Sequence, residues 1–439
     1  MFRGQQIKIK ENLQVKFHQF MRKFRQTFTI PEYKFIQDIS LGILKSQSVI
    51  INQIAQTLGE NISLKKTCER LYRNLRRKDF SERLHREIIA VQSHGLDSET
   101  VIIVDDSDII KSKARKMEGL KKVRDGSTGL TSQNGYDLVN LIACKPDDQG
   151  YQIKPLSSEL VSCQIETDSL IQITQDSIVE VIVASGNRGV YVFDRGYDKR
   201  HMFAFFKEHE CDYIVRSKGD RCLIVDGLEK SFLTVAKTVR RKIVVHSSAT
   251  NTSFNCGIQR VAIRLDGHPK KHPQTAEAWL VVARYVPKKN AKAGFFYFLC
   301  DFPNQELNEV QIVQKAIAMY HLRWKIEEVH KQIKQDYGWE KMQLMSYTGL
   351  KNMNQLLLLA VCYVYSLKSF ALTLMVAFPQ LMIYSNRLWK QIFDFVYYRI
   401  TRVVAYCFSH VTRLNILKYG GKWAESKQLI LPCLKNGGM

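Results

Sequence analysis

"TVIIVDDSDII", residues 100–110, is the stretch from which the fold is read. Thr100 to Val104 are all β-branched, stiff side chains that suit a pleated strand. The apolar run does not alternate with polar residues, so the spacing predicts a strand buried on both faces, near the middle of a sheet. It then breaks into acids: Asp105, Asp106 and, after Ser107, Asp108. A carboxylate at the end of a fixed strand is exposed at a sheet edge, which is a good position for a chemical group.

Reading outward, "LVNLIAC" (138–144) and "YQIKPLSSELVS" (151–162) are expected as companion strands, with "DGSTGL" and "SQNG" as turns. A helical stretch follows at 167–182. "RGVYVFDRGYD" (188–198) is a second apolar strand ending in an acid, Asp194, and "MFAFFKEH" (202–209) reads as a helix. Strands alternating with helices predict a mixed α/β layer structure. From 211 to 302 the pattern turns to β, with "CDYIVRS", "CLIVDG", "KIVVHSS", "RVAIRLDG", "AWLVVARYV" and "GFFYFLCDF" separated by turn residues. After 305 the chain is expected to be helical almost to its end. The division predicted is a helical, basic region (1–98), an α/β domain (99–210 and 303–370), an inserted β-rich domain (211–302) and a helical, basic C-terminal region (371–439).

Composition narrows the function. The 439 residues are 45% hydrophobic, 10% aromatic and carry a formal net charge of +23, with a sequence pI of about 9.5. Residues 1–90 hold 18 Lys and Arg against 8 Asp and Glu, and residues 341–439 hold 12 against 2. Basic ends around a more acidic middle suit an enzyme acting on a polyanion such as nucleic acid. In the first region, "QSVIINQIAQTLGENISLKKTCERLYRNLRR" (47–77) has two amphipathic segments around a break at Gly59. That is the pattern of a helix-turn-helix reaching into DNA, and equally of a plain helical hairpin.

The ten cysteines are scattered, with no C-x-x-C, so neither a zinc knuckle nor a disulfide framework is expected. "MFRGQQIKIKENLQVKF" lacks the apolar core of a signal peptide. "LLLLAVCYVYSLKSFALTLMVAF" (356–378) is long and apolar, but Lys368, Ser366, Ser369 and Thr373 interrupt it. It is read as a buried core helix, with a single membrane anchor as the alternative. The expected location is the bacterial cytoplasm, at the nucleoid.

"YHLRWKIEEVHKQIK" (320–334) carries the second set of chemical groups. At about 100° per residue, Tyr320, Arg323, Glu327 and Lys334 fall within roughly a 60° arc of one helix face. Leu322, Ile326, Val329 and Ile333 line the other side. A phenol, a guanidinium, a carboxylate and an ammonium on one face suit phosphate and metal together. Asp105, Asp194 and Glu327, from three elements, have the chemistry to hold two divalent ions for phosphodiester chemistry. Oxygen ligands favour Mg²⁺, with Mn²⁺ as the alternative, and the missing His/Cys cluster argues against zinc. Each acid also has a plain reading: Asp105 or Asp106 beginning a turn, Asp194 pairing with Arg195, Glu327 pairing with Lys331 or Arg323.

Together, "VDDSD" (104–108), "FDRGYD" (193–198) and the Y-(2)-R-(3)-E-(6)-K spacing at 320–334 resemble the DDE transposases of the IS4 group, which includes the Tn5-type enzymes. Ser107 stands where that family usually has Thr. The resemblance covers about residues 100–370. It implies a ribonuclease H-like catalytic domain with a β-rich insertion between the second Asp and the Glu. It also implies Asp105, Asp194 and Glu327 as metal-binding catalytic acids, with Asp106 the rival for the first position. Tyr320, Arg323 and Lys334 would contact phosphates of the element's end. The implied activity is cutting at inverted-repeat ends and joining the 3′ hydroxyls to target DNA, by a dimer that pairs two ends. In the Tn5-like branch a hairpin intermediate requires a displaced base held by an aromatic, for which Trp279 and the aromatics of 294–302 are candidates.

Overall fold

A computed structural model describes residues 2–124, 129–148, 150–247, 252–266, 274–286, 294–382, 395–409 and 411. Much of the expected C-terminal region, 383–394, 410 and 412–439, lies outside the described residues. The first region is helical: α1 (Phe2–Arg22), α2 (Ile30–Ser46), α3 (Ile51–Leu58), α4 (Leu64–Leu75) and α5 (Phe80–Ser93). Local chemistry sets their ends. Thr29 and Glu32 form a reciprocal capping box at the start of α2, and Gly59 closes α3 in the left-handed region at φ 61°.

The sheet begins with β1 (Val101–Ile110), β2 (Lys121–Arg124), β3 (Thr131–Asp147) and β4 (Gly150–Val161). β3 lies antiparallel between β1 on one side and β2 and β4 on the other. Helix α6 (Leu170–Ser185), capped by Ser169 and closed at Gly186, crosses back to β5 (Val190–Phe193), which pairs parallel to β1. A second crossover through α7 (Arg200–Glu208) leads to β6 (Tyr213–Arg216), parallel to β5. The strands expected at 101, 138, 151 and 188 are therefore present, and each is paired.

The six stretches expected as strands between 211 and 302 are also strands. After β6 come β7 (Cys222–Val225), β8 (Leu228–Ser231), a short helix α8 (Phe232–Thr238), β9 (Ile243–Ser247), β10 (Thr252–Arg264), β11 (Thr275–Val286) and β12 (Phe295–Asp301). They continue the same sheet, because β12 pairs antiparallel with β6. The order along the sheet is β2-β3-β1-β5-β6-β12-β11-β10-β7-β8.

Two hydrophobic cores lie on the two faces. In β1, Val101 and Ile103 join one core with α10 and α11 (ranges below), whereas Ile102 and Val104 join the other with α6 and α7. The chain returns through α9 (Glu309–His321), α10 (Trp324–Asp336) and α11 (Tyr347–Ser366). α11 packs on β4, α2 and α5, and its residues 352–365 are all buried. Its polar side chains also face protein: Asn352 donates to the carbonyls of Leu75 and Arg77, and Asn354 and Gln355 donate to that of Ser158. α11 is thus enclosed by its own chain, but the stretch 356–378 expected as one core helix is broken. α11 ends at Ser366, and a 3₁₀ turn (Lys368–Phe370) and a short helix (Ala371–Ala377) follow. Nine cysteines among the described residues are free.

Candidate active site

Asp105 and Asp194 are brought together by strand register. β1 and β5 run parallel, pairing Ile103 with Val192 and Val104 with Phe193. One residue further along are Asp105 and Asp194, so the two acids stand beside one another where β5 ends. β1 runs on to Ile110 paired with β3, so Asp105 lies in mid-strand and not at the strand end expected from the sequence. Asp194 is half-buried, and its Oδ1 accepts from the backbone N–H of Gly196 at 2.6 Å, which starts a turn of 3₁₀ helix.

Strand alternation separates Asp105 from Asp106. Asp105 follows Val101 and Ile103 onto the α10 side, where its Oδ2 lies 3.4 Å from Nη1 of Arg323. Asp106 follows Ile102 and Val104 to the other face and accepts a hydrogen bond from the buried Tyr197 hydroxyl. Of the two rivals, Asp105 is the one that shares a sheet face with α10.

Glu327 lies in the first turn of α10, and its Oε1 is 3.0 Å from Nη2 of Arg323. The expected i,i+4 pair is thus present, and the same guanidinium also reaches Asp105. Arg323 is buried, at 8% exposure, and the exposed indole of Trp324 lies with its ring centroid 4.6 Å from that guanidinium. Burial pushes the Asp105 carboxyl up to about 7; Arg323 opposes the shift, and Asp194, Asp106 and Glu327 add to it. Asp106 is raised to about 6, again chiefly by burial, with the Tyr197 hydrogen bond opposing. Asp194, Asp106 and Glu327 are therefore all near enough to Asp105 to bear on its charge. Among the described residues, no group of three or more His, Cys, Asp or Glu side chains is drawn together tightly enough to hold a metal ion. The donor set nevertheless fits a hard divalent cation: carboxylate oxygens around a buried acid that strains to stay charged.

The single continuous helix expected at 320–334 is corrected. α9 ends at His321 and α10 begins at Trp324. Between them the backbone tightens to i→i−3 bonds, Leu322 N–H to Met319 O, Arg323 N–H to Tyr320 O and Lys325 N–H to Leu322 O. Apolar periodicity runs through such a turn unchanged, so the spacing alone did not show the break. Of the four polar groups, Arg323 and Glu327 pair with one another, whereas Tyr320 and Lys334 make their contacts elsewhere. Tyr320 belongs to α9, and its buried ring packs 4.9 Å from that of Phe298. Lys334 lies at the far end of α10, 3.5 Å from Asp108 and 3.6 Å from Glu340.

Two cavities meet at Trp324. A groove of about 1180 Å³ runs past Glu327, Lys325 and Lys331 to Lys145 and Lys315. An aromatic pocket of about 400 Å³ is lined by Phe254, Tyr285, Phe296, Phe298, Tyr320 and Trp324. Of the aromatics expected to hold a base, Phe296 and Phe298 line this pocket. Trp279 instead lies under the Arg260 guanidinium, 5.1 Å from its ring centroid.

Sequence reasoning missed Tyr197, Trp324 and Asp198. Asp198, the last acid of "FDRGYD", is an anchor: it takes hydrogen bonds from Ser217 Oγ at 2.7 Å and the Lys218 N–H at 2.9 Å, and pairs with Arg221. An acid two residues beyond a Gly in a tight turn is a usable signal for such a role. None of the curated proteins matches the chain. Residues 166–365, which include Asp194 and Glu327 but not the strand bearing Asp105, match the family described as Transposase DDE domain, and this match supports a DDE transposase.

Proposed function

We propose that this protein is a DNA transposase of the IS4 group that cuts at the inverted-repeat ends of its element and joins the freed 3′ hydroxyls to target DNA. The observation that carries the reading is the side-by-side placement of Asp105 and Asp194, with Arg323 linking Asp105 to Glu327. The antiparallel β1–β3–β4 meander followed by parallel β5 and β6 supports a ribonuclease H-like catalytic domain. Transposases act on DNA, and DDE transposases generally use divalent metal ions.

Asp105, Asp194 and Glu327 would hold the ions, Mg²⁺ or Mn²⁺. When bound, the metal supplies Lewis-acid activation of the attacking oxygen and stabilisation of the leaving oxygen. The chain supplies the rest. β1 and β5 fix two carboxylates against a rigid sheet, and the first turn of α10 brings the third. Arg323, released from one carboxylate, has a planar fork for a phosphate oxygen. Lys334 places a second positive charge further along α10, and the Tyr320 ring helps form the wall of the aromatic pocket. That pocket is large enough to take a displaced base between aromatic faces. A dimer would pair two ends.

The test is an in vitro reaction of the full chain with Mg²⁺ and a donor carrying the matched terminal repeats. Cut ends joined to a target plasmid, lost in Glu327→Gln, support the reading. Hydrolysis without joining assigns a nuclease, and DNA binding with no metal-dependent cutting assigns a catalytically silent relative.

A further inference from the structure

We infer that Arg323 gates the metal site: its guanidinium takes carboxylate oxygens that an ion needs, and a phosphate of bound duplex draws it off. Duplex and divalent ion therefore bind cooperatively, each favouring the other. The inference rests on the transposase reading and adds how that same site is held idle until DNA arrives.

The guanidinium stands between two of the three acids. Nη1 lies 3.4 Å from Asp105 Oδ2, and Nη2 lies 3.0 Å from Glu327 Oε1. Two carboxylates thus share one planar fork, which the paired oxygens of a phosphate also fit. The oxygens so engaged are ones an ion must share, and the interposed positive charge weakens their pull on a cation. In keeping with this, among the described residues no three Asp, Glu, His or Cys side chains are drawn together tightly enough to hold an ion.

Two features make Arg323 a gate and not a fixed brace. Its hold is incomplete: the contact to Asp105 is longer than the roughly 2.7–2.9 Å of a strong charged pair, and its buried Nε has no acceptor among the described residues. Its release also leaves α10 in place. Lys111, just past the end of β1, donates to the carbonyls of Glu340 at 2.7 Å and Met342 at 2.8 Å, beyond the carboxyl end of α10. β1 and α10 are therefore tied without Arg323, and Glu327 keeps its position when the guanidinium leaves. The route for the phosphate is open, because Trp324, whose exposed indole lies against the guanidinium, lines the groove that passes Glu327.

The experiment titrates Mn²⁺ into the full-length protein at pH 8 and reads bound ion by calorimetry and electron paramagnetic resonance. It is run alone and with a saturating precut terminal-repeat duplex, whose 3′-dideoxy end permits no joining; ion bound by the duplex itself is subtracted. In wild type the duplex should raise Mn²⁺ affinity about tenfold or more, and Mn²⁺ should raise duplex affinity by the same factor. Arg323→Gln should bind Mn²⁺ without DNA about as tightly as duplex-bound wild type, and gain little from duplex. Lys334→Gln removes an equal charge from α10, but one that contacts Asp108 and Glu340 instead, so it should keep the wild-type pattern. An ion affinity in wild type that duplex leaves unmoved overturns the gate with no variant needed. Equal gains from duplex in wild type and Arg323→Gln, or a Lys334→Gln that matches Arg323→Gln, also overturn it. These outcomes leave the transposase reading to its joining assay, whereas a wild type that binds no Mn²⁺ with or without duplex overturns both.

Discussion

Replacing Asp105 with Asn tests whether burial or the Arg323 ion pair governs this acid. The Asp105 carboxyl is 16% exposed, and its pKa rises from an ordinary 3.8 to about 7 because burial outweighs Arg323. Between those values the folded protein keeps a proton that the unfolded chain has released. Stability from this group is therefore lost as pH rises from about 4 to about 7. At about 1.4 kcal/mol per pH unit, the three-unit interval amounts to roughly 4 kcal/mol. Asp105→Asn carries no such proton, so its stability should gain on wild type by that slope and be equal or greater at pH 8. The assay is urea unfolding of the metal-free protein in EDTA at half-unit steps from pH 5 to 8, comparing midpoints. Asp106 titrates in both proteins and largely cancels. A gap that stays flat, or one that shows the variant losing ground as pH rises, would mean that Arg323 holds Asp105 ionised, and the electrostatic account of the site would be wrong.

Asp105→Ala, Asp194→Ala and Glu327→Ala should each abolish strand cleavage while leaving duplex binding near wild type, read by gel shift beside a nicking assay. Asp198→Asn should lower stability by roughly 3 kcal/mol, because Arg221 would lose its buried partner, whereas Asp194→Asn should leave the melting temperature nearly unchanged. Mg²⁺ at millimolar concentration should raise the melting temperature of wild type at pH 8 and do so much less for Glu327→Gln; an equal rise in both would place the ion elsewhere. Lys334→Ala should weaken binding to a terminal duplex and flatten the salt dependence by about one unit, seen as a shallower plot of log Kd against log salt.

What the sequence by itself determined is local. β-branched runs marked β1 and β5, although the continuation of β1 past Asp105 to Ile110 was set by its pairing with β3. The acids that close those runs marked Asp105 and Asp194, because burial on two faces and an abrupt change to acids both leave a signature within ten residues. Helical period placed Arg323 and Glu327 one turn apart for the same reason. The tertiary structure decided the rest. Alternation says that Asp105 and Asp106 face opposite sides, but only packing against α10 and α7 determines which side each takes. The parallel register that sets Asp105 beside Asp194 joins residues nearly ninety apart, and no local pattern carries that information. The pairing of β12 with β6, which merges the 211–302 strands into the central sheet, is non-local in the same way. The turn at Leu322–Arg323 escaped because a short shift from i→i−4 to i→i−3 bonding leaves the apolar spacing readable as one helix. The bridge that Arg323 makes between Glu327, four residues on, and Asp105, over two hundred residues away, is likewise a product of packing and not of local pattern.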